Sequence, residues 1–245
     1  LSFRGRLPES CLGQEMFVNM LDAPDFAARS FINHWRASGG EIADGAGAGR
    51  APAQAATLAA NQSKPLAAVL ADMNKESNNV IARSVYLALG EQAARGRNGT
   101  QNAEAAVRRA LRSAGLDDET LVLENGSGLS RRERASARFL GEMLAVARRS
   151  PFQTAFTDSL PVAGNDGTLK KRFQNIGSPL RLKTGTLKNV RALAGYWLPE
   201  APQHPLAIVV LVNSEQSGAY LPDLDRLVMQ LLPAGAEANR QPDSP

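Results

Sequence analysis

The sequence predicts an α+β fold in which a helical region packs on a mostly antiparallel sheet. Three observations carry this. Helical periodicity dominates from Ser63 to Arg148, three strand-like runs cluster between Leu180 and Asn213, and a further helical stretch closes the chain. At 245 residues, with 43% hydrophobic and 21% charged side chains, the chain can bury one large core or two modest ones.

The first fifty residues read as a small α/β piece. LSFRGRL (Leu1 to Leu7) alternates like a short strand, and Asp22 is placed to cap a helix from about Ala23 to Ser38. Pro24 suits its first turn, Gly39-Gly40 ends it, and Ala28, Phe31, Ile32 and Trp35 mark one apolar face. DGAGAGRAP (Asp44 to Pro52) has half of a dinucleotide fingerprint, but a proline follows and the third glycine is displaced, so it reads as a turn or domain boundary.

Pro65 opens the next helix, whose stripe is Leu66, Val69, Leu70 and Met73. Another starts near Asn79 and runs through Val80, Ile81, Val85 and Leu89; a third spans Asn102 to Ala114, stopped by Gly115; a fourth covers roughly Arg132 to Arg148. Leu180 to Asn189, RALAGYWL (Arg191 to Leu198) and LAIVVLVN (Leu206 to Asn213) are the strands. The last helix, Asp223 to Leu232, is expected to bury Leu224, Leu227, Val228 and Leu231 against them, and residues 234–245 form a polar, flexible tail.

Composition excludes several function classes. The net charge is +4, but the densest basic cluster, Ser130 to Arg138, contains a glutamate and no aromatics, so it lacks the stacking platforms of a nucleic-acid groove. A solvated helix face explains it. Cys11, His34 and His204 are the only thiol and imidazoles, so no N/S metal site and no cofactor is expected. Cys11 has no internal disulfide partner; it is a free thiol or bridges to a cysteine outside these residues. No apolar run approaches the roughly 20 residues that cross a bilayer. Residues 1–6 show no signal peptide, and the first residue is not methionine.

Two short motifs point to acyl-transfer chemistry. Ser77-Asn78-Asn79 falls between two helical stretches, where capping alone would account for it. About a hundred residues later Lys183-Thr184-Gly185-Thr186 lies on a strand, and ENGSGLSRRE (Glu124 to Glu133) makes a glycine-flanked turn between them. A Ser-x-Asn box on a helical segment and a Lys-Thr-Gly box on a strand are two of the three boxes of the penicillin-recognising serine acyl enzymes. NKESNNVIAR, LENGSGLSR, LPVAGNDGTLKKRF and LRLKTGTLKNVRALAGYW closely resemble, in this order, the class C low-molecular-mass penicillin-binding proteins. These are D-alanyl-D-alanine carboxypeptidases/endopeptidases, and the resemblance runs from about Leu21 to Leu232.

The resemblance implies the penicillin-binding/β-lactamase-like transpeptidase fold, a periplasmic location, peptidoglycan stem peptides ending in D-alanine as substrates, and β-lactams as ligands. It gives Ser77, Asn79 and Lys183 catalytic roles and Thr184, Gly185 and Thr186 substrate-binding ones. The chemistry of the roles is simple. Lys183 supplies positive potential for a terminal carboxylate and the Thr184 hydroxyl can hydrogen-bond to it. Gly185 clears space for substrate backbone, and the Thr186 amide is a potential oxyanion donor. Ser77 can relay a proton between Lys183 and the leaving amine, and Asn79 can bind the acyl-side amide.

The family's nucleophile box, Ser-x-x-Lys, is absent. The residues three before the six lysines are Asn61, Asp72, Gly167, Thr168, Leu180 and Gly185, none of them serine. Thr168 with Lys171 only imitates it, and Ser127 lacks the Gly-x-Ser-x-Gly spacing of a nucleophile elbow. In the family that box lies upstream of a long insertion. The resemblance therefore implies a fold incomplete at its N-terminal side: residues 1–50 a remnant of the inserted accessory domain, 51–233 the C-terminal part of the catalytic domain, and a missing N-terminal segment of the same protein as partner. A pseudo-enzyme that holds stem peptides without cleaving them is the non-catalytic alternative. A serine β-lactamase, whose second box is usually Ser-Asp-Asn, is the other.

Overall fold

The computed structural model describes residues 20–43, 52–93, 99–200 and 204–233 continuously, with a few isolated positions beside them. The chain divides into two compact units, Leu1–Asn61 and Gln62–Pro245.

In the first unit, α1 (Ala23–Ala37) begins at Asp22, whose carboxylate accepts the Asp25 amide at 2.8 Å. Gly39, at φ +85°, turns the chain away after the last helical turn. Of the expected apolar face, Phe31 and Trp35 stack on each other and are 61% and 47% exposed, while Ala28 and Ile32 are partly buried. Most of the expected strand at 1–7 and all of the 234–245 tail lie outside the described residues; residues 4–6 carry no strand.

The second unit is built around a three-stranded antiparallel sheet in the order β1 (Leu180–Leu187), β2 (Val190–Trp197), β3 (Leu206–Asn213). Leu182 pairs with Gly195 and Lys183 with Ala194. A Cβ on Gly195 would lie 2.1 Å from the Arg181 carbonyl, so glycine permits this close approach. Both faces are covered, which is why β2 and β3 read as nearly continuous apolar runs. Leu182, Leu193, Trp197, Ile208 and Val210 face one core, where α7 (Leu221–Leu231) contributes Leu224 and Val228. Tyr196, Ala194 and Val209 face the other side, against Leu144 of α5 (Ala137–Arg149) and Phe156 of α6 (Gln153–Ser159). Each fully buried leucine, valine or isoleucine contributes about 1.5–3 kcal/mol.

The remaining helices are α2 (Leu66–Lys75), α3 (Asn79–Ala93) and α4 (Gly99–Ser113). α3 and α4 meet where Gly90 lies against Gly99 and Ala103: a Cβ on Gly90 would come within 2.7 Å of the Ala103 amide nitrogen. Several expected stripe residues stay exposed, among them Leu66, Val80, Leu89, Leu227 and Leu231, because each helix buries a narrower face than its periodicity suggests. α5 starts at Ala137, not near Arg132: Arg134 pairs as an isolated bridge with Val122, and Ser136 caps the helix by accepting the Phe139 amide.

Candidate active site

The turn between α2 and α3 carries the first group of side chains. After Lys75 the chain folds back beneath α2, with the Asn78 amide donating to the Met73 carbonyl at 2.9 Å. Ser77 sits at φ +53°, a left-handed conformation costing a non-glycine residue of order 1–3 kcal/mol. Asn78 does the capping: its side-chain oxygen accepts the amides of Val80 and Ile81 at 3.1 and 3.0 Å. The flanking Ser77 and Asn79 are thereby left for other contacts. The Asn79 amide group donates to the Ser127 carbonyl at 2.6 Å.

β1 carries the second group. The Lys183 ammonium donates to Ser77 Oγ at 2.8 Å and to the Thr184 carbonyl at 3.0 Å. Lys183 is half-buried, and among the described residues no carboxylate lies within ion-pair distance of it. Burial holds its pKa below that of an ordinary lysine. The Thr184 and Thr168 hydroxyls are 2.9 Å apart. Gly185 faces β2, where a Cβ would press on the Ala192 methyl at 3.0 Å; packing within the sheet is thus one reason for glycine there.

The free edge of β1 follows from strand parity. Leu180 accepts the Ala163 amide and Leu182 donates to the Pro161 carbonyl on that edge. Alternate residues point the same way, so the main-chain groups of Thr184 and Thr186 lie on the same edge. No described segment continues the pairing past Leu182.

The third wall is the loop from Glu124 to Glu133. Glu133 gathers the amides of Glu124, Asn125 and Gly126 on one carboxylate oxygen at 3.1–3.2 Å. Gly126, at φ +68°, lies flat on Tyr86, where a Cβ would come within 2.4 Å of the ring. The Ser127 hydroxyl accepts the Leu129 amide, and no histidine hydrogen-bonds to it among the described residues. Arg131 ties this loop to the β1–β2 hairpin by donating to the Lys188 carbonyl at 2.6 Å. Beside the loop a cavity of about 950 Å³ opens between α4, α5 and the sheet, lined by Leu111, Leu123, Phe139, Met143 and Leu187 among others.

Two contacts have no counterpart in the sequence reading. Lys75 pairs with Asp166 at 2.5 Å, and Thr168 is the partner of Thr184. Both partners sit in the GNDGT stretch, at or beside the 3₁₀ turn Gly167–Leu169. Among the described residues, no group of three or more histidine, cysteine, aspartate or glutamate side chains is placed to hold a metal ion. Among the described residues no helix is long and apolar enough to cross a membrane.

A partly desolvated ammonium bonded to a hydroxyl, an amide side chain two residues from that hydroxyl, and a strand edge thus lie near one another. Such a set can hold an extended peptide and move a proton. The family model of the D-Ala-D-Ala carboxypeptidase 3 (S13) family matches residues 1–230. The chain belongs to this family. It is 30% identical over 260 residues to a D-alanyl-D-alanine carboxypeptidase of an Actinomadura species, covering 99% of this chain and 48% of that protein. It is 32% identical to the D-alanyl-D-alanine carboxypeptidase DacB of Haemophilus influenzae, covering 68% of this chain and 36% of the relative. The crystal structure of penicillin binding protein 4 (dacB) from H. influenzae, in complex with a β-lactam, superposes with a TM-score of 0.72 at 29% identity, covering 85% of this chain and 51% of that one. A predatory endopeptidase from Bdellovibrio bacteriovorus, in complex with an immunity protein, shares the fold at TM-score 0.56 and 23% identity, covering 68% of this chain and 43% of that one. The family is that of the low-molecular-mass penicillin-binding carboxypeptidases, and the α+β architecture is theirs. The chain spans about half or less of the length of the curated relatives it matches.

Proposed function

We propose that these residues form the C-terminal catalytic part of a serine-type D-Ala-D-Ala carboxypeptidase/endopeptidase that cleaves peptidoglycan stem peptides through an acyl-enzyme. The observation that carries this is the 2.8 Å hydrogen bond from Lys183 to Ser77, two box residues 106 positions apart. In this reading a stem peptide ending in D-alanine lies along the free edge of β1. Its terminal carboxylate is held by the Lys183 ammonium and the Thr184 hydroxyl. The Thr186 amide stabilises the oxyanion of the tetrahedral intermediate, and Asn79 binds the acyl-side amide. Gly185 keeps the strand free of a side chain beside the peptide. Ser77, linked to a lysine whose proton is loosened by burial, passes a proton to the leaving D-alanine nitrogen.

The acylating serine comes, in this proposal, from a Ser-x-x-Lys segment outside these 245 residues, since the sequence contains no such box. Residues 1–50 would then be the remnant of an inserted accessory domain, and the apolar cavity beside the Ser127 loop a seat for part of the additional segment. The working location is the periplasm, where peptidoglycan is reached, and β-lactams are expected to acylate the assembled enzyme.

Labelled penicillin tests the reading. The chain alone is expected to form no stable acyl adduct, and the protein extended upstream to include a Ser-x-x-Lys segment is expected to form one. An adduct mapped to any serine between residues 1 and 245 would refute the proposal. An extended protein that binds stem peptides but is never acylated would establish the non-catalytic alternative.

A further inference from the structure

The segment Asp166-Gly167-Thr168 touches both box-bearing elements. On one side the Asp166 carboxylate accepts the Lys75 ammonium at 2.5 Å, and Lys75 also donates to the Leu160 carbonyl at 3.2 Å. Lys75 is the last residue of α2, two positions before Ser77. On the other side the Thr168 hydroxyl meets that of Thr184, the residue after Lys183. The segment is itself fixed: the second Asp166 oxygen accepts the Val162 amide at 2.8 Å. Gly167 lies so close to α2 that a Cβ would fall 2.6 Å from the Lys75 carbonyl, and its φ of +53° suits glycine. Lys75 and Asp166 are only 24% and 33% exposed, so their attraction is less screened than that of a surface pair.

We propose that Lys75 and Asp166 form a positioning clamp that holds the left-handed Ser77 turn against β1, so that the Ser77 hydroxyl stays within hydrogen-bonding reach of Lys183. Ser77 needs such an anchor, because its backbone conformation is disfavoured and relaxes unless neighbouring contacts fix it. The clamp supplies one charge-assisted contact at the base of the turn, and Thr168 links the same segment to the strand. Neither Lys75 nor Asp166 reaches the Ser77–Lys183 hydrogen bond; both act through the backbone. The catalytic meaning of the clamp rests on the function proposed above, but its test needs no turnover.

The test compares this chain with Asp166→Asn and Lys75→Met. Trace acetylation of Lys183 with acetic anhydride across pH, read by peptide mass spectrometry, gives the titration midpoint of its amine. Hydrogen exchange at the Asn78 amide reports the turn. Release of the turn exposes Lys183 to water, so both variants are expected to raise its midpoint toward the ordinary lysine value. They should also speed Asn78 exchange by about tenfold or more, the loss of one charge-assisted hydrogen bond. Lys75→Arg, which keeps the charge, should retain the wild-type midpoint. The two main substitutions change charge in opposite senses. Midpoint shifts of opposite sign, which through-space charge alone would give, overturn the proposal, and so does the absence of a shift in both variants. Asp166→Asn keeps an oxygen for the Val162 amide; should it nonetheless unfold by circular dichroism, the exchange rate in Lys75→Met decides.

Discussion

The Asn79 side chain and the Ser127 carbonyl, 48 positions apart, are joined by a 2.6 Å hydrogen bond that pins the glycine-rich loop to the start of α3. Asn79 is the donor, so its chemistry is specific. An aspartate has almost the same shape, but when ionised it can only accept.

Asn79→Asp is therefore expected to set a carboxylate against a carbonyl lone pair and to cost about 1–3 kcal/mol. Asn79→Ala should cost less, since it leaves one carbonyl unpaired without adding repulsion. Urea denaturation of both variants checks this order. Wild-type stability in Asn79→Asp would show that the contact carries no energy.

A second prediction concerns acid. Asp118 is buried beneath two guanidinium groups: Arg112 donates to both of its oxygens at 2.8 and 3.2 Å, and Arg108 adds a bond at 3.0 Å. Hydrogen bonds from Arg112 and then Arg108 lower its pKa from 3.8 to about 2. A carboxyl depressed on folding stabilises the native state above its unfolded pKa and loses that contribution as pH falls through the folded one. The difference in melting temperature between wild type and Asp118→Asn should thus be large near neutral pH and shrink between about pH 4 and pH 2. A difference independent of pH over that window would contradict the assignment.

Tyr196 links the sheet to α5, its hydroxyl donating to the Leu144 carbonyl at 2.6 Å inside the second core. Tyr196→Phe should cost about 1–2 kcal/mol near neutral pH. Burial pushes the phenol up to about 12 from 10.0, so its contribution is intact below the unfolded value and fades as pH rises through the folded one. Denaturation midpoints at about pH 8 and pH 11 should therefore converge between wild type and variant.

Much of this fold was legible in the residues, and the reason differs by element. The run from Leu206 to Asn213 is apolar up to its last residue and rich in β-branched side chains, and β3 has those same bounds. The Asp22 cap and Gly39 frame α1 to within a residue. The start of α5 was not legible. Arg132 to Ala135 continues a helical pattern, yet Arg134 is taken by the Val122 bridge, a partner that no local signal announces. α6 has 7 residues, too few for a periodicity. In the candidate site, the boxes singled out Ser77, Asn79 and Lys183 because box spacing is a sequence property, and the structure brings Ser77 and Lys183 within hydrogen-bonding distance. Asp166 and Thr168 could not be paired with Lys75 and Thr184, since contacts between segments so far apart leave no periodic trace.

The measurement that bears most directly on the central claim is the coupling between Ser77 and Lys183 in penicillin acylation of the upstream-extended protein. If the two form one relay, Ser77→Ala and Lys183→Ala should each slow acylation by roughly a hundredfold or more. The double variant should then be no more than about threefold slower than the worse single one. Losses that multiply in the double variant, or single variants acylated at the wild-type rate, would contradict the account.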